Sequence, residues 1–277
     1  MKKFTKILTT FAIGQRYETL WNTYCKASWE HFASRHGYEL VVINKMLRPD
    51  NRSPAWQKLA LPEYFANAEH VLFVDADIIF SNRASDPLAL LQEGCVGVVP
   101  EPRGPNYRRS VRLWAGKNHI MSAQEYYQRT AQIDSPADIV YNTGVMAFRP
   151  NVAKELFERV WRDYEETIYY EQPALSHELV TTGLVQALPE DFNTNWSIDR
   201  MAFPFFTKLD QIRTNRKNPL HHVAPIRKLA CEIRFGCVLE RLSRCSFLHL
   251  SGGQFSDIPR DWWERHLEFE KAGEISL

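Results

Sequence analysis

The sequence lacks the features that mark disulfide-stapled, membrane-spanning and nucleic-acid-binding proteins. Its five cysteines form no C-x-x-C pair, and their odd number and scattered spacing argue against a disulfide framework or a zinc site. No apolar run approaches the roughly 20 residues that a membrane-spanning helix needs. The formal net charge is +1, which gives no overall reason to expect a nucleic-acid partner. Cysteines without a pairing pattern are typical of a reducing compartment, so we expect a cytoplasmic protein.

What remains is the composition of an ordinary globular protein. The chain has 277 residues, of which 44% are hydrophobic and 24% are charged. Short apolar runs alternate with segments of helical periodicity, and this rhythm predicts an α/β fold with a mostly parallel central sheet, flanked by helices. The predicted strands include residues 6–13, 39–43, 96–99, 145–148 and 185–188, and the predicted helices include 17–36, 56–65, 153–164 and one that ends near 182.

The most informative stretch is VLFVDADIIF, at residues 71–80. A short, unbroken apolar run fits a strand that is buried on both faces of a parallel sheet. Asp75 and Asp77 lie two positions apart, so in a strand their side chains point to the same side, near the strand end where open α/β sheets bind ligands. Neighbouring carboxylates repel each other unless a cation lies between them, and Mg²⁺ or Mn²⁺ is the simplest candidate. Taken alone, the pair also fits two solvated aspartates that end a strand.

Three more polar motifs follow in order: N-T-G at residues 142–144, E-Q-P at 171–173 and H-L-S-G at 249–252. Together with the acidic pair, they resemble the GT-A fold glycosyltransferases, and most of all the retaining families related to glycogenin and to the α-galactosyl- and α-xylosyltransferases. The resemblance spans about residues 6–253. It implies a Rossmann-like GT-A fold with one catalytic domain over residues 1–277, made of a nucleotide-binding half to about residue 100, a donor-sugar and acceptor half over about 101–253, and a helical tail over 254–277.

The resemblance implies roles for individual residues. Asp75, Asp77 and His249 would hold Mn²⁺ (or Mg²⁺), which neutralises the charge that develops on the leaving nucleoside diphosphate. Glu171 and Gln172 would be the catalytic residues, near the anomeric carbon on the sugar face opposite the leaving group. Contacts to the nucleotide and the donor sugar are implied for Thr9, Thr10, Tyr17, Lys58, Asp75, Asn142, Gly144 and Gly252.

The chain departs from the pattern of these families at two places. Similar retaining enzymes usually have Asp where this chain has Glu171, so the carboxylate lies at the end of a longer side chain. Glycogenin-like enzymes place a Lys shortly after the last glycine, whereas this chain continues with Gln254-Phe255-Ser256. Closure over the diphosphate would then use one of three alternatives: Arg260, some residue of the basic segment at 208–244 described below, or no side chain at all.

The expected activity is transfer of a hexose from a nucleotide-diphosphate sugar, expected to be UDP-linked, to a hydroxyl of a glycan, lipid-linked or protein acceptor, with retention of the anomeric configuration. One alternative is a catalytically weak protein that binds sugar nucleotides. A second is a haloacid-dehalogenase-like phosphatase, which usually carries its acidic motif near the N-terminus and needs a later acidic pair. This chain has no Asp-Asp pair, and it has no Gly-rich loop after the first strand, which disfavours a nucleotidyltransferase.

A basic segment lies in the last third of the chain. Residues 208–244 hold nine Lys or Arg against three acidic residues, a local net charge of +6. Residues 223–242 are predicted to form an amphipathic helix with a basic face. Such a face is either simply solvated or contacts an anionic membrane surface or a charged acceptor. We therefore allow for peripheral contact at the inner face of a membrane and expect no nucleic-acid partner.

Overall fold

The computed structural model describes residues 6–101, 105–115, 121–251 and 254–271. The strands in this part are β1 Lys6–Phe11, β2 Glu39–Ile43, β3 His70–Val74, β4 Ile78–Phe80, β5 Val96–Pro100, β6 Tyr141–Phe148, β7 Val185–Ala187, β8 Thr194–Asn195 and β9 Phe247–His249. The α-helices are α1 Gln15–Leu20, α2 Lys26–His36, α3 Leu61–Tyr64, α4 Pro105–Ala115, α5 Ala123–Ala131, α6 Pro150–Asp163, α7 Gln172–Thr181, α8 Trp196–Ala202, α9 Pro204–Thr214, α10 Ala224–Ser243 and α11 Arg260–Lys271. Stretches of 3₁₀ helix span Pro54–Ala60, Pro87–Leu90, Glu190–Asn193, Pro219–His222 and Gln254–Asp257.

The described residues fall into two compact units. The first comprises residues 6–76, 85–101 and 121–193, and it contains a six-stranded sheet in the order β2-β1-β3-β6-β5-β7. The second comprises residues 77–84, 105–115, 194–251 and 254–271, and it contains a three-stranded sheet in the order β4-β9-β8. The expectation of one catalytic domain with two functional halves and a tail stays a prediction.

The sheet of the first unit is mixed but mostly parallel, which confirms the predicted fold class. β1 runs parallel to β2 and β3, and β5 runs parallel to β7, whereas β6 is antiparallel to both β3 and β5. The four inner residues of β1 are all buried, as expected for a strand with both faces covered. Apolar side chains of α6 and α7, among them Phe157 and Leu175, pack in the core of this unit.

Local sequence signals account for the end of α2 and the start of α3. Gly37 ends α2 with φ 72°, a left-handed conformation that glycine adopts without steric cost. The helix expected over residues 17–36 is present as α1 and α2, joined by a π-helical turn at Trp21–Cys25. The helix expected over residues 56–65 is instead a 3₁₀ stretch followed by the short α3. Pro62 lies at the start of α3, where its missing N–H costs no hydrogen bond.

The strand expected around residues 71–80 is in fact two strands. β3 ends at Val74 and pairs with β6, whereas β4 begins at Ile78 and pairs with β9 in the other sheet. Asp75 and Asp77 therefore lie in the connection between two strands, and the alternation rule does not fix their directions. The strand expected at residues 145–148 begins earlier than predicted, and residues 142–144 are part of it, as β6.

Candidate active site

Asp75 directly follows β3 and is tied to the neighbouring strand. Its backbone N–H donates a hydrogen bond to the carbonyl oxygen of Gly144 in β6, at 2.8 Å. This bond continues the β3–β6 ladder by one residue beyond the last paired position. The side chain of Asp75 remains 32% exposed, so its carboxylate can still meet a ligand.

Lys58 lies beside Asp75 and is almost completely buried. Its Nζ atom is 2.8 Å from Oε1 of Glu171 and 3.4 Å from Oδ1 of Asp75, and it also donates to the carbonyl oxygen of Thr143 at 3.3 Å. Burial by itself would lower the pKa of Lys58, but the charges of Asp75 and Glu171 outweigh burial and raise the pKa above its usual value. Lys58 is therefore a fixed positive charge between one residue of the D-A-D motif and the predicted catalytic carboxylate.

Glu171 immediately precedes α7, and its side chain is 2% exposed. The hydroxyl of Thr143 donates to Oε1 at 2.7 Å, on the same oxygen that faces Lys58. Oε2 is buried and has no hydrogen-bond partner within the described part of the chain. A carboxylate is stable in such a place only when it is paired, and Lys58 provides the opposite charge.

A network of amide and carboxylate side chains lies in the same unit. Asn142 and Gln172 both donate to Oε1 of Glu101, at 2.8 and 3.2 Å. Asn142 accepts in turn from the amide of Asn193 at 2.7 Å, and Gln172 donates to the hydroxyl of Tyr126 at 3.1 Å. Burial is the largest cause that raises the pKa of the Tyr126 hydroxyl above its usual value. Amides and carboxylates of this kind can bind the hydroxyl groups of a sugar.

In the second unit, Asp77 and His249 are brought together by the pairing of β4 with β9. Ile78 lies opposite His249 in this antiparallel pair, and the N–H of Leu250 donates to the carbonyl oxygen of Asp77 at 2.9 Å. His249 Nε2 is 3.2 Å from Asp77 Oδ1. Strand pairing thus joins two residues that are far apart in the sequence.

Asp75 lies two positions before Asp77 in the chain and belongs to the first unit. The three residues Asp75, Asp77 and His249 each offer one ligand atom of a type found in metal sites. Carboxylate oxygens suit hard divalent cations, and an imidazole nitrogen is acceptable to Mn²⁺. The chemistry of these donors therefore fits a divalent metal.

The other residues predicted to bind the donor have varied surroundings. Thr9 and Thr10 lie in β1 with 0% exposure, and the Thr9 hydroxyl donates to the carbonyl oxygen of Val41, which favours a structural role for Thr9. Tyr17, on α1, is 46% exposed. Gly144 lies in β6 beside Asn142, and Gly252 lies outside the described residues. Their roles stay predictions.

Sequence reasoning missed Glu101 and Tyr126 as members of this network. Glu101 directly follows β5, and a carboxylate at the end of a predicted strand is a signal that could have identified it. Tyr126 lies on α5 and carries no local signal. Its contact with Gln172 depends on how α5 and α7 pack together, which periodicity does not report.

The predicted basic helix is present as α10, but only part of its charge faces solvent. Arg227 and Lys228 are exposed. Arg234 is 0% exposed and pairs with Asp257 at 2.6 Å. Within the ranges that the structure describes, no helix has both the length and the apolar character needed to cross a membrane.

Many solved structures are similar to this chain, among them two glycosyltransferases. A glycosyltransferase involved in the glycosylation of the major capsid of PBCV-1 matches 95% of this chain and 99% of its own, with 14% identity and a TM-score of 0.45. The WbbM bifunctional glycosyltransferase, in its apo structure, matches 90% of this chain but only 46% of its own, with 13% identity and a TM-score of 0.52. At this identity the likeness to WbbM concerns the fold alone. No sequence among the curated proteins matches the chain.

The family model described as Glycosyl transferase family 8 matches residues 11–223. This range is most of the chain, and it includes the D-A-D, N-T-G and E-Q-P motifs. The resemblance that these motifs carry is thereby confirmed. The protein is a glycosyltransferase and belongs to glycosyl transferase family 8.

Proposed function

We propose that this glycosyltransferase moves a hexose from a UDP-sugar to a hydroxyl acceptor, with a divalent cation and with retention of the anomeric configuration. The observation that carries the proposal is the 3.2 Å approach of His249 Nε2 to Asp77 Oδ1, two residues along the chain from Asp75. An imidazole and two carboxylates are a ligand set that suits Mn²⁺. A nucleoside diphosphate leaves readily only when its developing negative charge is neutralised.

Asp75, Asp77 and His249 are the proposed metal ligands. Mn²⁺ or Mg²⁺, when bound there, would act as a Lewis acid toward the diphosphate oxygens. Lys58 adds a fixed positive charge next to Asp75, and this charge offsets part of the repulsion between the carboxylates and an approaching diphosphate. The nucleotide base and ribose would be bound near Thr10 and Tyr17.

Glu171 is the proposed catalytic carboxylate. A retaining transferase needs a group on the sugar face opposite the leaving group, either as a nucleophile or as a charge that stabilises an oxocarbenium-like transition state. Glu171 is buried, and its Oε1 lies 2.8 Å from the ammonium group of Lys58. Gln172 and Asn142, both anchored on Glu101, would orient the hydroxyls of the donor sugar.

The acceptor is proposed to be a glycan or a lipid-linked glycan at an anionic membrane surface. The basic segment, residues 208–244, has four large apolar side chains that are 41–53% exposed: Leu220, Val223, Leu229 and Ile233. Exposed basic side chains at Arg227 and Lys228 lie in the same stretch of chain. Apolar and basic side chains together are the composition that binds the interface of an anionic bilayer.

The metal-assisted donor site is tested by binding. A thermal-shift screen of nucleotide sugars with and without Mn²⁺ would identify the donor, because a ligand that binds the folded state raises its melting temperature. Calorimetry with UDP and Mn²⁺ should then show that Asp77→Ala removes the metal-dependent binding. Asp134→Ala, which changes an exposed aspartate elsewhere, serves as the matched control. Equal binding by both variants would contradict the metal assignment.

The stereochemical outcome is tested separately. Proton NMR of the first-formed product should show the anomeric configuration of the donor. An inverted product would contradict the role of Glu171, while leaving the metal site and the transferase activity intact.

A further inference from the structure

The two oxygens of the Glu171 carboxylate have very different surroundings. Oε1 receives the hydroxyl of Thr143 at 2.7 Å and lies 2.8 Å from the ammonium group of Lys58. Oε2 is buried and is left without a hydrogen-bond partner in the part of the chain that the structure describes. Each carboxylate oxygen can accept two hydrogen bonds, and buried polar atoms of native proteins are rarely unpaired. The asymmetry therefore calls for a functional reason.

Thr143 holds its place firmly, because it belongs to a strand in the middle of the six-stranded sheet. Its side chain is 2% exposed, and its carbonyl oxygen accepts from Lys58 at 3.3 Å. The residue thus contacts Glu171 through its hydroxyl and contacts Lys58 through its backbone. A donor on a rigid strand fixes a partner side chain more accurately than a donor on a loop.

The need for such a donor follows from the length of the Glu side chain. Glutamate has one more rotatable bond than aspartate, so its carboxylate loses more rotamer freedom when it is fixed. Lys58 supplies charge, but its own long side chain constrains direction poorly. The hydroxyl of Thr143 lies on a short, β-branched side chain with restricted rotation, so it can set the orientation of the carboxylate.

From this geometry we infer that Thr143 is a positioning residue, which acts through Glu171. Its hydroxyl and Lys58 together occupy Oε1 and orient the carboxylate so that Oε2 is the oxygen that faces the donor sugar. The inference rests on the proposed function, since it requires Glu171 to act on the sugar. The competing explanation is that the Thr143–Glu171 hydrogen bond only stabilises the fold.

Two substitutions of Thr143 separate these explanations. Thr143→Val keeps the shape and removes the donor, whereas Thr143→Ser keeps the donor. With the UDP-sugar that the thermal-shift screen identifies, we expect Thr143→Val to lower kcat at least about tenfold, the loss typical of a hydrogen bond to a charged group. The KM for the donor should stay within about threefold of wild type, and Thr143→Ser should restore kcat to within about threefold. Thr181→Val, which removes an exposed hydroxyl at the end of α7, is the matched control.

A double-mutant cycle with Glu171→Gln tests whether Thr143 acts through Glu171. If it does, adding Thr143→Val to Glu171→Gln should lower the rate of donor turnover by less than about twofold further. Equal losses for Thr143→Val and Thr143→Ser, an unchanged kcat in Thr143→Val, or additive losses in the cycle would each overturn the positioning role while the transferase proposal stands. A wild-type chain that turns over no nucleotide sugar would overturn the proposed function, and this inference with it.

Discussion

The ammonium nitrogen of Lys58 lies 2.8 Å from Oε1 of Glu171, and both side chains are at most 5% exposed. Desolvation of two charges is costly, and a pair of this kind is retained when each charge compensates the other. The same ammonium group lies 3.4 Å from Asp75. Lys58 thus forms ion pairs with two carboxylates. Its removal should leave the buried negative charge of Glu171 without a compensating positive charge.

Replacement of Lys58 by methionine should destabilise the folded state. We expect the free energy of unfolding to fall by about 3–5 kcal/mol, because the substitution leaves the buried Glu171 carboxylate unpaired. Guanidinium denaturation followed by circular dichroism measures this change. Lys26→Met is the control, since Lys26 forms an exposed pair with Glu30 at 3.9 Å and such pairs contribute about 0.3–0.5 kcal/mol. If Lys58→Met lowered the free energy of unfolding by less than about 1 kcal/mol, the buried pair would contribute little to stability.

The buried ion pair between Asp257 and Arg234 should make stability depend on pH in the acid range. Burial alone would raise the pKa of Asp257, but the hydrogen bond and charge of Arg234 outweigh it and hold the pKa below its usual value of 3.8. A carboxyl whose pKa is lower in the folded state contributes stability that is complete above the unfolded value and is lost as the pH falls through the folded value. The contribution should therefore be constant near neutral pH and decline below about pH 4.

Asp257→Asn measures this contribution. At pH 7 we expect the substitution to lower the free energy of unfolding by about 3 kcal/mol, because it removes the buried carboxylate that lies 2.6 Å from Arg234 and leaves Arg234 only the more distant and less buried Asp210, at 3.2 Å. The difference in the free energy of unfolding between wild type and variant should narrow as the pH falls below about 4, because the Asp257 carboxyl is protonated first in the unfolded chain and, at lower pH, in the folded protein. Urea denaturation between pH 3 and pH 8 follows both variants, and Asp261→Asn, at an exposed pair with Arg265, provides the comparison. If the difference in the free energy of unfolding between wild type and Asp257→Asn stayed constant down to pH 3, the ion pair could not be its source.

Replacement of Glu101 by alanine should lower the catalytic efficiency with the donor sugar. Glu101 anchors the amides of Asn142 and Gln172 through one oxygen, and both amides lose this acceptor in the variant. We expect kcat/KM for the donor to fall about tenfold to a hundredfold, the range for loss of hydrogen bonds to a charged group. Steady-state kinetics with Glu93→Ala as control, at a side chain that is 90% exposed, gives the comparison. If the two variants had similar kcat/KM values for the donor, Glu101 would have no role in donor binding or turnover.

The exposed apolar residues of α10 should contribute to membrane binding. We expect the double substitution Leu229→Ser and Ile233→Ser to lower binding to vesicles of phosphatidylcholine and phosphatidylserine by about tenfold or more, because apolar burial drives interfacial binding. Binding of the wild type should weaken as salt screens the basic residues. Vesicle sedimentation measures both effects, and Leu90→Ser, at a residue that is 47% exposed in the other unit, is the control. Failure of the wild type to sediment with these vesicles would refute the membrane contact.

Much of the candidate site could be found from the sequence, since its motifs are short and local. The D-A-D motif, N-T-G, E-Q-P and the histidine at position 249 were all predicted to belong to one site, and their roles stay predictions. The pairing of Lys58 with Glu171 could not be found this way, because it joins a 3₁₀ stretch to the start of α7. Arg234 was expected on a basic face, yet it is buried, because Asp257 neutralises its charge from a distant part of the chain.

The fold class, the glycine that ends α2 and the residue types expected around a cation and a sugar could all be predicted from the sequence alone, because they depend on neighbours within a few positions. The division of residues 71–80 between two sheets and the antiparallel direction of β6 depend on pairing with distant strands and could not be predicted in this way. Periodicity reports how deeply a residue is buried, but it reports neither the partner of a strand nor its direction. The same limit applies to Asp77 and His249, which the pairing of β4 with β9 places 3.2 Å apart.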